Sequence, residues 1–375
     1  MPTAIYNTQP FFKKILKYHG VKFSGEIQHK VEGFEQYNWL VDANACFSTS
    51  PDGDIVDRTQ TIRQPWLMHV CRPWQVPVGQ PLTLDQCFER RVNELTANGQ
   101  TVNLFWSGGI DSTTTVVAFL KHCKNLNQVR VLYSTNSLKE NPGFYLLLET
   151  IPDLELVEFS GEVYLNQNLN GLFISGDGSD DLTGSLDLSF FERLTWDGLH
   201  QPWKKFFYEK TQNTNFVDFC EQWFKLSGRP IDSILEARWW FYTAVKIQKF
   251  PASLASAVHD HQPFPIGFFD FYEFEHYMWS NLDLIIPNKN YTSYKQFLKD
   301  YIFSYDKDTH YKTNKQKQNS SQLSLYKYKK VILQDKHYIM LLADGTRIRT
   351  PNLPLLSEFE YRKTYSNSLD YLFKT

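Results

Sequence analysis

Two short segments of this chain carry residue types whose spacing could do chemistry. The first reads Ser107-Gly108-Gly109-Ile110-Asp111-Ser112. Glycines at 108 and 109 let the backbone approach an anion with no side chain in between. Ser107 and Ser112 add hydroxyl donors, and the Asp111 carboxylate is a hard oxygen ligand of the kind that holds the Mg²⁺ accompanying a nucleotide. The second reads Gly176-Asp177-Gly178-Ser179-Asp180-Asp181 and is again rich in glycine and acid. A polyphosphate group bears several negative charges, and Mg²⁺ bridging it requires carboxylates such as Asp111 and Asp180. Neither segment fits the common alternatives. No Gly-Lys-Ser/Thr follows the first, so it is not a Walker A loop, and no Glu closes the second at EF-hand spacing.

The flanking residues say how these segments are positioned. An apolar run at 101–106 precedes the first, and an apolar, β-branched run at 113–120 follows it, the order strand, tight turn, helix. That order points backbone N–H groups and the positive end of a helix dipole at an anion. Residues 129–133 and 154–159 read as further strands, the former ending in the polar Ser134-Thr135-Asn136, and 172–174 as a short buried strand before the second segment. Strand and helix thus alternate from 102 to 176. This predicts an α/β fold with a doubly wound parallel sheet, whose strand-end loops are where ligands converge. Thr83-Leu84-Asp85-Gln86 predicts a capping box that opens a helix running to about Ala97, just ahead of the first strand.

Ser-Gly-Gly-x-Asp-Ser after a strand resembles the pyrophosphate loop of the N-type ATP pyrophosphatases, with their adenine nucleotide α-hydrolase-like fold. The second segment narrows the resemblance to the asparagine synthetase and β-lactam synthetase branch, where it is similar to Ser-Gly-Glu-Gly-x-Asp-Glu. The resemblance implies that Ser107, Gly108, Gly109, Asp111, Ser112 and Gly176 bind ATP, with Ser134 at the strand end flanking the adenine. It also implies that Asp111 and Asp180 hold Mg²⁺, and that Asp177 stands near the reacting centre. Asp177 and Asp181 replace the family's two glutamates, shortening each carboxylate by one methylene. Residues 264–270 resemble the family's Pro-Phe-x-Asp segment, and 294–299 its Lys-x-x-Leu-Arg helix. The polar stretch 311–320 falls where the family carries a catalytic lysine on a mobile loop. Lys315 is the best match, with Lys312 and Lys317 as rivals. On this resemblance the chain is expected to be an AMP-forming amide ligase. It would adenylate a small carboxylate, and ammonia or a substrate amine would displace AMP.

There are two rivals: a nucleobase- or tRNA-modifying enzyme of the same superfamily and, from another class, a nucleotide-binding protein with reduced catalysis. The first would be expected to show a basic face or Cys/His zinc ligands. The shortened acids at 177 and 181 favour the second.

The predicted organisation is an N-terminal region at 1–82, a nucleotide core at 83–186, a helical substrate-side domain at 187–325, and a C-terminal hairpin and tail at 326–375. Residues from 196 to 241 are dense in Trp and Phe at helical spacing, a pattern that belongs to a packed core. Pro2 stands where a glutaminase domain would have its Cys nucleophile, and about 80 residues are too few for that domain, so glutamine hydrolysis is not expected. Asp344-Gly345 between two short apolar runs predicts a hairpin.

The 375 residues are 42% apolar and 16% aromatic, enough for two or three packed domains. A net charge of −2 gives no pull toward nucleic acid or an anionic membrane. The five cysteines (Cys46, Cys71, Cys87, Cys123 and Cys220) show neither paired nor metal-ligand spacing, and with no apparent signal peptide or span the expectation is a cytoplasmic protein with reduced thiols. His259 and His261 are expected to be surface residues, or residues that support a site from behind, rather than ligands. No membrane or nucleic-acid partner is expected; a homodimer is compatible with this reading.

Overall fold

A computed structural model of the chain describes residues 73–158, 169–184, 195–211, 214–244, 247, 266–289 and 291–315, with the strand segments 23–24, 30–31, 339–341 and 347–349. It divides into two compact units. One comprises 78–183 and 257–332, the other 1–77, 184–256 and 333–375.

The first unit is built on a five-stranded parallel sheet flanked by helices. Helix α1 (Leu84–Thr96) starts at Thr83, whose hydroxyl accepts from the Gln86 backbone while the Gln86 side chain accepts from Thr83 N–H. The expected capping box is therefore formed in both directions. Strand β1 (Val102–Phe105) leads into helix α2 (Ile110–His122). Strand β2 (Val129–Tyr133), helices α3 (Thr135–Glu140) and α4 (Pro142–Glu149), and strand β3 (Glu155–Glu158) follow. Next come strand β4 (Leu172–Ser175) and the single-turn helix α5 (Ser179–Leu182).

The sheet order is β3-β2-β1-β4-β5, with β5 at Ile266–Gly267. The chain therefore moves outward from β1 to β2 to β3, then returns to lay β4 on the other side of β1. Both glycine-rich segments leave the carboxyl ends of neighbouring strands, on either side of this reversal. The fifth strand was not legible: residues 266–267 read as a segment following the sheet, yet they pair in parallel with Ile174 and Ser175.

The core explains the strands. Val102, Leu104, Val131, Leu132, Phe173 and Ile174 are buried on the sheet, beside Val117 and Phe119 of α2. Asn103 is a polar residue in the central strand and is fully buried. Its Nδ2 donates to the carbonyls of Asn170 and Leu172, which fastens β1 to the entry of β4. Arg91 of α1 is also buried. Its guanidinium donates to the Gly267 and Phe268 carbonyls, so α1 holds the otherwise short β5 in place. Helices α9 (Tyr272–Ser280) and α10 (Gln296–Asp306) complete this unit, α10 packing on α2 and α9 on α1. A last helix, α11 (Thr309–Asn314), occupies part of the stretch expected to be a polar loop. Asp308 caps it by accepting from Tyr311 N–H, and Tyr311 is buried. A local cap and one buried aromatic thus outweigh the polar composition.

The other unit contains helices α6 (Trp203–Thr211), α7 (Thr214–Phe224) and α8 (Ile234–Ala244). Its interior is aromatic. Trp203 meets Phe207 and Phe224 at 5.3 and 4.7 Å, and Trp223 meets Trp240 and Phe241 at 5.6 and 5.0 Å between ring centres. Trp74 lies edge-on to Trp240 at 5.1 Å. The polar atoms of Trp74 and Trp203 donate to the carbonyls of Leu226 and Ile231. The aromatic residues between 196 and 241 that the structure describes are thus largely packing residues, as their spacing suggested. Residues 339–341 and 347–349 pair antiparallel, the expected C-terminal hairpin; its Asp344-Gly345 turn lies outside the described residues. Cys46, Cys71, His259, His261 and Lys317 also lie outside them. Cys87, Cys123 and Cys220 form no disulfide with one another. Among the described residues, no helix is long and apolar enough to cross a membrane.

Candidate active site

The first loop is held open by its own side chains. Ser107 Oγ and Ser112 Oγ lie 2.9 Å apart, Ser112 Oγ accepts from Ser107 N–H, and Ser107 Oγ accepts from Gly109 N–H. Gly109 caps α2, so the first-turn N–H groups of Ile110, Asp111 and Ser112 have no acceptor within the helix. Trp106 Nε1 donates to Thr113 Oγ1, and Thr114 and Thr115 donate to carbonyls one turn back, which locks the helix start to the strand end. Gly108 has φ +79°, and a Cβ there would lie 2.7 Å from Ser137 O and 2.8 Å from Glu140 Cβ. Only glycine satisfies both the dihedral and the space.

The second loop packs directly onto the first. A Cβ at Gly176 would sit 2.7 Å from Ser112 N and 2.8 Å from the Asp111 carbonyl carbon. A side chain at 176 would therefore push the two segments apart. Across this contact Ser179 Oγ donates to Asp111 Oδ1 at 2.8 Å.

Asp111 and Asp180 share one cation, the Lys295 ammonium. Lys295 Nζ lies 2.8 Å from both oxygens of Asp111 and 2.5 Å from Asp180 Oδ1. The Lys295 side chain is only 4% exposed, whereas that of Asp180 is 57% exposed. Lys295 takes the left-handed conformation, φ 55°, at the start of α10. Neighbouring Tyr294 is anchored by a 2.7 Å bond between its hydroxyl and Thr183 Oγ1, just beyond α5. Burial opposes charge on Lys295, but the two carboxylates outweigh it and raise its pKa, so it stays an ammonium. Burial also raises the Asp111 pKa, against the pull of Lys295 and with the repulsion of Asp180.

The far side of the first loop carries a second ion pair. Lys315 Nζ lies 2.7 Å from Glu140 Oε1, with the two side chains 9% and 10% exposed. Tyr311, one turn earlier, donates its hydroxyl to Gly108 O at 2.9 Å, which ties α11 to the loop. The rival Lys312 is engaged elsewhere, 2.7 Å from Asp300 and over the Phe303 ring. Lys299 feels the Lys315 charge; burial first, and that charge second, lower its pKa.

Compared with known protein families and with curated proteins, the chain matches none.

The structure thus gathers Ser107, Gly108, Gly109, Asp111, Ser112, Gly176 and Asp180 into one region, with Lys315 over the same loop. Ser134 caps α3 at the end of β2, its Oγ bonded to Ser137. Its hydroxyl is thereby committed to the cap. Asp177 lies on the second loop, its carbonyl against Gly267 of β5 and its N–H bonded to Ser175 Oγ. Lys295 lies in the segment that resembles the family's Lys-x-x-Leu-Arg helix, where the resemblance implies no role for it, and Glu140 lies outside every segment that carries the resemblance. The signal for Lys295 was its position next to Tyr294 at the head of that helix; nothing local marked Glu140.

Two convergent carboxylates held by one ammonium are a donor set that fits Mg²⁺. That ion is commonly held by one or two carboxylates, with substrate phosphates and waters completing its shell. Among the described residues, no group of three or more His, Cys, Asp or Glu stands ready to hold a metal.

Proposed function

We propose that this chain is an AMP-forming, ATP-dependent amide ligase on a doubly wound sheet similar to that of the N-type ATP pyrophosphatases. The observation that carries the reading is the meeting of the two Gly/Asp segments. They leave adjacent parallel strands, touch at Gly176, and direct Asp111 and Asp180 at one point.

In this reading Asp111 and Asp180 hold Mg²⁺, which when bound neutralises charge on the leaving pyrophosphate. The backbone of residues 107–112 and the head of α2 receive the phosphates. Lys295, released from the carboxylates, turns its ammonium to phosphate oxygens. Lys315 stabilises charge developing at the α-phosphate. Asp177 is the acid/base candidate near the acceptor. The substrate carboxylate oxygen attacks the α-phosphorus and pyrophosphate leaves. Ammonia or a substrate amine then attacks the acyl carbon, and AMP leaves. Residues 107–112, 176–180, 295 and 315 all belong to a single compact unit, which supports this reading.

Incubation with ATP, Mg²⁺, pooled carboxylates and ammonia tests this. AMP and pyrophosphate should appear in equal amounts, dependent on the acceptor, and glutamine should not replace ammonia. No acceptor-dependent release from any pool would sink the ligase reading. A second reading, a nucleotide-binding protein without turnover, is favoured by the engagement of both carboxylates with Lys295. Tight ATP binding with no pyrophosphate release would establish it instead.

A further inference from the structure

The Glu140–Lys315 pair poses a physical problem. A carboxylate nine-tenths buried beside a loop built for anions should repel the ligand that loop receives. Glu140 is not a distant neighbour. Its Cβ would lie 2.8 Å from a Cβ on Gly108, and its Oε1 3.6 Å from a Cβ on Gly109. Both the carboxylate and its Lys315 partner are largely removed from water, where an ion pair must be matched closely to repay its desolvation. The segment bearing Glu140 is also rigidly held. Ser137 Oγ donates to Trp106 O at 2.6 Å, and Asn141 caps α4 through Phe144 N–H, so Glu140 sits between two anchored residues. Lys315 is held from its own side by Tyr311 on Gly108 O.

The whole arrangement places one anion against Gly109 and onto a lysine, which is what a phosphate oxygen would do in the same place. We propose that Glu140 is a positioning residue that acts as the loop's internal anion. It holds the Lys315 ammonium at Gly108–Gly109 when no polyphosphate is bound, and it surrenders that ammonium to the polyphosphate. This rests on the phosphate-loop reading above. The exchange favours ligands carrying several negative charges over single carboxylates, because only the former outbid Glu140 for the ammonium. The pair on the other side of the loop is arranged in the same sense: there Asp111 and Asp180 keep Lys295 in place. Lysines and carboxylates flanking the loop are thus paired with each other in a way that polyphosphate and a divalent cation can take apart together.

Inorganic pyrophosphate with Mg²⁺, titrated into the full chain by calorimetry, is the probe. Glu140→Gln keeps size and hydrogen bonding but removes the competing charge. It should bind pyrophosphate roughly tenfold more tightly, the scale of one charge-assisted hydrogen bond freed from competition. A purely structural glutamate would give the opposite sign, since losing it would loosen the loop. In parallel, acylation of Lys315 by an amine-reactive ester, followed by mass spectrometry, should be slow in the natural chain. It should be several-fold faster in Glu140→Gln, and suppressed in both by pyrophosphate. Glu140→Asp, which keeps the charge but withdraws it by a methylene, should also speed acylation and provides the readout should Glu140→Gln fold poorly. Pyrophosphate binding equal to or weaker than that of the natural chain in a folded Glu140→Gln overturns the proposal. So does unchanged acylation of Lys315 in both variants. If the natural chain and both variants all fail to bind pyrophosphate, the phosphate-loop reading falls and this inference falls with it.

Discussion

In the sheet-bearing unit, charges and glycines crowd the strand ends: Lys295 between Asp111 and Asp180, Lys315 on Glu140, and two backbones touching at Gly176. In the other unit, Trp203, Trp223 and Trp240 fill an aromatic interior with rings 5 to 6 Å apart; Trp203 Nε1 donates to the Ile231 carbonyl and Trp240 Nε1 is buried. Aromatic burial is non-directional, and each large side chain contributes on the order of 2 kcal/mol. The charged region carries desolvation costs that only mutual pairing offsets. On the proposed reading the charged region serves chemistry while aromatic packing serves stability, and substitutions should separate the two.

The largest expected effect is on chemistry. Asp111→Asn should abolish pyrophosphate release in the assay above while the far-ultraviolet circular dichroism stays native. Its side chain is only partly exposed and paired with Lys295, so a moderate drop in Tm is also expected, softened because Asp180 still holds the ammonium. Near-full activity in this variant would remove Asp111 from the metal site. The converse variant is Trp223→Ala, which should cost about 3–5 kcal/mol in chemical denaturation through the cavity it leaves. At a temperature where it remains folded, its affinity for Mg²⁺-pyrophosphate should match that of the natural chain. A shift in that affinity would mean the two environments are energetically coupled.

Lys315→Ala should lower turnover on the order of 10²- to 10³-fold, as expected for a donor that acts on developing charge, and should also weaken ATP binding, because it leaves the Glu140 carboxylate unpaired against the loop. Lys312→Ala, which loses the Asp300 pair and the contact over the Phe303 ring, should leave turnover near normal. The reverse ranking would move the role to Lys312.

Lys295→Met leaves two carboxylates facing each other. A loss of about 3 kcal/mol is expected, at the low end for a broken buried pair because Asp180 is well exposed. Mg²⁺ should restore part of the lost Tm, whereas Na⁺ at equal ionic strength should not. Failure of Mg²⁺ to rescue would argue against a divalent site at these carboxylates.

The smallest effect concerns Cys87, whose thiol is pushed up to about 12 by burial and by the Glu273 carboxylate. The folded chain keeps the proton that the unfolded chain releases above its ordinary value of 9.0. This contribution is whole below pH 9 and is lost as pH rises toward 12. Thermal melts between pH 9 and 11 should therefore fall less steeply for Cys87→Ala than for the natural chain. Parallel slopes would show that Cys87 has no part in alkaline destabilisation.

Much of the sheet was legible because its signals are local. The run at 129–133 became β2 with the same limits, and Thr83 with Gln86 closed the expected capping box. The strand, Gly-Gly turn and helix at 102–122 also follow from residues adjacent in sequence. β5 escaped because a two-residue strand has no periodicity, and it is held by Arg91 from 176 residues earlier. Helix α11 escaped because a polar stretch conceals one buried tyrosine.

By itself, then, the sequence determined which segments turn, which extend, and which backbones come bare of side chains. Those properties depend on dihedral freedom, caps and apolar runs within a few residues. Only the tertiary structure decided what faces what. Lys295 reaches Asp111 across 184 positions and Lys315 reaches Glu140 across 175. A lysine that will be buried between two acids is, in sequence, indistinguishable from a solvated one, because its environment is supplied by strands and helices that meet only when the chain has folded.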